Sequence, residues 1–186
     1  MLMTRKTTMK NELKWMEIAR NYIGLEEAPG AANNPEVVRL FKVAFEATGQ
    51  EDKATQDIWR QDATPWCGIF VAAVLAEAGL AHRIPKSFPM ARSWEKAGSR
   101  LARPAYGGIV VFTRQGGGHV GFVAGCDKQG NLMVLGGNQG DKVCIKPFSL
   151  GRVTAYRWVG VTDSPAPERF NLPVLTSDGK LSTNEA

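Results

Sequence analysis

Apolar positions recur at helical spacing in the first half of the chain and at strand spacing in the second. Leu13, Met16, Ala19, Tyr22 and Ile23 predict an amphipathic helix from Asn11 to Gly24, and Val37, Val38, Phe41, Ala44 and Phe45 predict a second one ending at Gly49. The turn-rich stretch 25–35 separates them, and residues 50–63 are charged and irregular. From Gly68 to Ala78 the chain is apolar almost all round, with Glu77 its only charge, and a helix without a polar face belongs inside a core. Thr64 is expected to cap this helix, Pro65 to take its first position and Gly79 to stop it. A short helix is expected over Met90–Ala97, before Gly98.

After Gly107-Gly108 the period changes to two. Ile109–Thr113, His119–Ala124, Asn131–Leu135, Lys142–Ile145 and Val153–Trp158 are short β-branched or aromatic runs divided by glycine-rich turns. Helices first and strands after predict an α+β domain, with the apolar helix packed on an antiparallel meander of about five strands. Residues 1–9 read as a flexible N-terminus, 10–162 as a single folded domain and 163–186 as an extended tail, ordered only against a groove.

With 186 residues and 44% hydrophobic content, the chain suits one well-packed core. A net charge of +5 suggests an anionic partner, but no lysine–arginine run or finger-like cysteine spacing supports nucleic acid. Three cysteines without a CxxC argue against a disulfide framework and structural zinc, leaving open a single Cys126–Cys144 bridge. No segment has the length or hydropathy of a secretory signal or a membrane span. Synthesis in the cytoplasm without a signal peptide is therefore expected, with no membrane insertion, and any export would use another route.

A cysteine beside a tryptophan in an apolar segment reads first as packing. Cys67, however, falls at a helix start, where unpaired backbone N–H groups favour a thiolate and lower cysteine pKa values from about 8.5 into roughly the 3.5–7.5 range. His119 opens a strand after three glycines, and Asn138 lies in the loop ending the next strand. A thiolate needs a base, and the base needs a third group to orient it. Cys67, His119 and Asn138 could fill those roles; His82, just past a helix end, reads as solvated, and Cys126 and Cys144 as packing.

Asp62–Val71, Gly107–Phe112, Gly118–Val123, Val134–Asp141 and Tyr156-Arg157-Trp158, taken in order, resemble the CHAP group (cysteine, histidine-dependent amidohydrolase/peptidase) and the wider NlpC-like cell-wall cysteine peptidases, most closely a phage-associated branch. The resemblance runs from about Trp15 to Trp158. It implies a papain-like core and hydrolysis of amide bonds in the peptide part of peptidoglycan, with Cys67 as nucleophile, His119 as base and Asn138 as orienting group. Many members carry an acidic residue where this chain has Gly136, so Gln139 or Asp141 are substitutes for the third role.

Trp66, Trp94 and Gln139 are candidate substrate-binding residues. No metal or cofactor is required. Peptidoglycan is the expected partner and a monomer the expected state; a phage lysin and an injected antibacterial toxin, the latter with a cognate inhibitor, fit equally. The competing readings are a papain-like-fold acyltransferase, a non-catalytic wall-binding module and a basic nucleic-acid-binding domain.

Overall fold

The computed structural model describes residues 11–54, 56 and 60–183; the flexible terminus expected over residues 1–9 lies outside them. Two amphipathic helices, α1 (Lys14–Asn21) and α2 (Pro35–Ala47), precede a one-turn helix α3 (Glu51–Ala54) and the apolar helix α4 (Cys67–Glu77). Asn34 caps α2 by accepting from the Glu36 N–H, with Pro35 at the first position, where no N–H is needed. Packing against α2 on one side and the sheet on the other buries every α4 residue from Cys67 to Leu75. Its one charge is tied off at the far end, where Glu77 accepts from the Tyr22 hydroxyl and pairs with Arg39 at 3.1 Å. Gly79 stops the helix at φ +80°: its N–H reaches Ala76 O and the next N–H, of Leu80, reaches Leu75 O, which satisfies two of the last carbonyls.

Among the described residues six strands form one antiparallel sheet in the order β1-β6-β2-β3-β4-β5: β1 (Ser99–Leu101), β2 (Ile109–Arg114), β3 (Gly117–Cys126), β4 (Leu132–Gly136), β5 (Cys144–Phe148) and β6 (Val153–Trp158). The fold is α+β as expected, and the expected meander is corrected in its strand order. The sheet is not a plain meander, since β6 crosses back to pair with β2. The three-residue edge strand β1 adds a sixth member, and the short helix expected over Met90–Ala97 is a 3-10 helix (Ala91–Lys96).

The return of β6 is possible because the sheet is strongly curled. On a flat sheet β2 and β5 would lie about 14 Å apart, at roughly 4.8 Å per strand. The Phe112 and Phe148 rings, one on each strand, instead stack at 4.7 Å. The curl gives two apolar layers. Val120, Phe122, Leu135 and Ile109 face the helices, while Val110, Phe112, Val123, Val134 and Phe148 fill the other, concave side.

Leu172 closes part of that concave side, and the C-terminal stretch is bound along the sheet: Cys126 and Val174 form a bridge, and Ser182 N–H reaches Pro147 O. The stretch expected to need a groove thus has one. Cys126 and Cys144 are both free thiols at opposite ends of their strands, which rules out the bridge left open from sequence.

Candidate active site

Cys67 is the first residue of α4. The N-cap is Trp66, not Thr64, and it makes no side-chain cap. The shift follows from the indole, which is fully buried and donates its N–H to Glu27 Oε1 at 2.7 Å, so the tryptophan is pinned before the helix begins. This contact, together with desolvation, also governs Glu27, whose carboxyl is pushed up by burial despite that hydrogen bond. Asp62 anchors the same corner by accepting from the Ala28 and Asn34 N–H groups, each at 2.7 Å.

The first turn of α4 lies against two other segments. A Cβ on Gly68 would collide with the Phe88 carbonyl oxygen, so only glycine lets the 88–92 segment pass beside the sulfur. On the sheet side, the Cys67 sulfur lies within reach of the Val120 N–H, the peptide next to His119.

His119 sits on the concave face of β3, its ring parallel to Phe148 (5.2 Å between centroids, 1° between planes) and stacked with Phe112. Its Nε2 is 2.9 Å from Gln139 Oε1. The Gln139 NH2 group donates to Cys144 O at 2.7 Å and Val134 O at 3.2 Å, which fixes the amide with its oxygen toward the ring. An oxygen can only accept, so Nε2 carries the hydrogen and Nδ1 carries the basic lone pair.

The two glycines ending β4 join these halves. A Cβ on Gly136 would lie 2.6 Å from Gln139 Oε1 and 3.3 Å from His119 Nε2; one on Gly137 would lie 2.6 Å from the Trp66 ring. His119 and Gln139 therefore pack on one side of this backbone, and Trp66 with the α4 start on the other.

Of the three residues considered for the third role, Gln139 is the one hydrogen-bonded to the ring. Asn138 is buried and its Oδ1 makes no hydrogen bond to His119: it adopts φ +56°, which turns the chain so that the next side chain, Gln139, folds back onto Gly136. Its own Oδ1 has no hydrogen-bond partner among the described residues. Asp141 is exposed and contributes its carbonyl to the Glu27 N–H instead.

Neither tryptophan presents a face to a ligand. Trp94 is fully buried like Trp66 and gives its indole N–H to Phe88 O at 2.9 Å, holding the segment beside Gly68. His82 is exposed.

The helix-tip argument for an ionised sulfur is also corrected. Burial pushes the Cys67 thiol up, against the N–H groups of Val120, Gly68 and Cys67 itself and the charge of Arg114, which favour the thiolate. The sulfur residue is 5% exposed and His119 not at all, and surface hollows of about 450 and 440 Å³ are lined by other residues. Sequence reasoning missed Arg114, for which a position at the tip of a hairpin gave no signal.

The His119–Gln139 pair thus lies on one side of the Gly136–Gly137 backbone and the α4 start with Cys67 on the other, the sulfur against the Val120 N–H. Residues 59–138 match the CHAP domain model. Over that span the chain is similar to CHAP domains. The matched span holds Cys67 and His119 and stops one residue short of Gln139. No curated protein gives a significant match to the chain. A CHAP domain points to a cell-wall amidase or peptidase, with peptidoglycan as the corresponding substrate. No helix among the described residues is long and apolar enough to cross a membrane.

Proposed function

We propose that the protein is a peptidoglycan hydrolase that cleaves amide bonds in the peptide moiety with Cys67 as nucleophile and His119 as base. The observation that carries the reading is the 2.9 Å contact between His119 Nε2 and Gln139 Oε1, which leaves Nδ1 as the basic nitrogen in a site whose sulfur lies beside the neighbouring peptide.

Nδ1 takes the thiol proton, and the thiolate attacks the amide carbonyl. The oxyanion is held by the Cys67 N–H at the start of α4, and Nδ1–H protonates the leaving amine. Water, deprotonated at Nδ1, then attacks the thioester and restores the thiol. Gln139 keeps the ring oriented without adding charge.

The net charge of +5 suits an anionic wall polymer. The setting we propose is the cell wall or periplasm, reached either as a phage lysin or as an injected antibacterial toxin, a toxin having a cognate inhibitor in its producer. Expression confined to the cytoplasm should then leave cells intact, while export of the same chain lyses them.

Sacculi incubated with wild type, Cys67→Ala and His119→Ala test the chemistry: fragments should appear with wild type alone, and equal release by all three ends the claim. A site this closed to solvent also favours a second reading, acyl transfer to an amine. Mass spectrometry of the products separates a transferred acyl group from a hydrolysed one.

A further inference from the structure

Two arginines cover the glycines that lead into His119. Arg114 ends β2 opposite Gly117, and its Nε is the nearest atom, 3.6 Å, to a Cβ built there. Arg92 lies on the next glycine, its methylenes 2.9 and 3.1 Å from a Cβ on Gly118. A Cβ at 118 would also meet the Phe112 carbonyl oxygen at 2.8 Å, so Arg92 and the β2 backbone both close on that glycine, while Arg114 lies in ordinary contact distance of residue 117.

The two differ in their partners. Arg92 pairs with Glu95. Arg114 forms no ion pair among the described residues, and its Nε is buried without a hydrogen-bond acceptor. A guanidinium donor removed from water and left without an acceptor is costly, and the planar fork of arginine matches a carboxylate or a phosphate, of which a peptide supplies the carboxylate. Arg114 is also close enough to Cys67 for its charge to act on the sulfur. An anion that satisfied it would lie beside the reacting atoms.

We propose that Arg114 is the residue that recognises substrate, by binding a free carboxylate carried next to the scissile amide. The inference rests on the hydrolase reading and specifies its substrate class: peptides whose branch or terminal carboxyl groups near the cut are free rather than amidated. Lysine would hold the charge but not the two parallel hydrogen bonds.

The test compares two synthetic muropeptides that differ only in having free carboxylates or carboxamides, with wild type, Arg114→Met, Arg114→Lys and Arg114→Gln. Wild type should show a KM lower by about ten- to hundredfold on the free-carboxylate peptide, the usual range for a charge-assisted pair. Arg114→Met and Arg114→Gln should erase that preference, and Arg114→Lys should keep part of it.

An effect through the sulfur alone would lower kcat on both peptides alike and move Cys67 alkylation by iodoacetamide to higher pH, with the KM ratio intact. That result overturns the inference, as does a wild type with no preference between the peptides. The hydrolase reading fails separately, if wild type cleaves neither peptide. Thermal melting of each variant confirms that the hairpin still folds.

Discussion

The side-chain amide of Gln139 stands where a side chain on residue 136 would stand: its Oε1 is 2.9 Å from His119 Nε2 and 2.6 Å from the place of a Gly136 Cβ. One position in space is thus filled from residue 139 because residue 136 leaves it empty. Replacing the amide by an apolar group of similar size, as in Gln139→Leu, removes the group that fixes the tautomer. The expected result is a fall in kcat of roughly 10²-fold, at the lower end of what acid–base assistance contributes, with Asn138→Ala falling far less. Steady-state kinetics on solubilised peptidoglycan checks both.

An acidic residue at 136 and Gln139 cannot share that space. Gly136→Glu alone should therefore be poorly active, and combining it with Gln139→Ala should recover activity, because the carboxylate can then take the place beside Nε2. The coupling should be strongly non-additive in a double-mutant cycle. Additive losses would show that residues 136 and 139 do not compete.

Cys67 makes stability depend on pH. Burial raises its pKa in the folded state above the ordinary value near 8.5 of the unfolded chain. The unfolded state then loses its proton first, so this contribution is fully present below about pH 8.5 and declines as pH rises from there toward the folded-state pKa. Cys67→Ala should flatten the decline in Tm between pH 8 and pH 10. Above pH 10 Tyr22 and Tyr106 act in the same direction, both pushed up to about 12 by burial first, so wild type and variant should both lose stability there. Melting curves across pH 7–11 separate the two ranges.

Gly68→Ala should be among the most damaging small substitutions. The added methyl meets the Phe88 carbonyl oxygen, a backbone atom already held by Trp94, so neither side yields cheaply. Overpacking of this kind costs about 1–3 kcal/mol. Urea denaturation should show that loss, and alkylation of Cys67 should quicken as the 88–92 segment is forced off the first turn.

Much of the site was legible along the chain. The unbroken apolar run after Cys67 announced a buried helix, and the period-two runs placed five of the six strands within a few residues. Glycine at 136 already signalled that the third role had to come from elsewhere, and Gln139 was among the substitutes. The edge strand Ser99–Leu101 carried no such pattern, because three residues paired along one edge need no alternation.

The sequence by itself determined the two periodicities, the apolar helix and the position of a lone cysteine at its start, all properties of neighbours within a turn or a strand. The tertiary structure alone decided the rest. The return of β6 to β2, the choice of Gln139 over Asn138 and Asp141, and the dominance of burial over the helix tip at Cys67 each depend on residues distant in sequence. Strand order follows from how the sheet curls around Phe112 and Phe148, and the protonation of a sulfur follows from how much water those packed layers exclude.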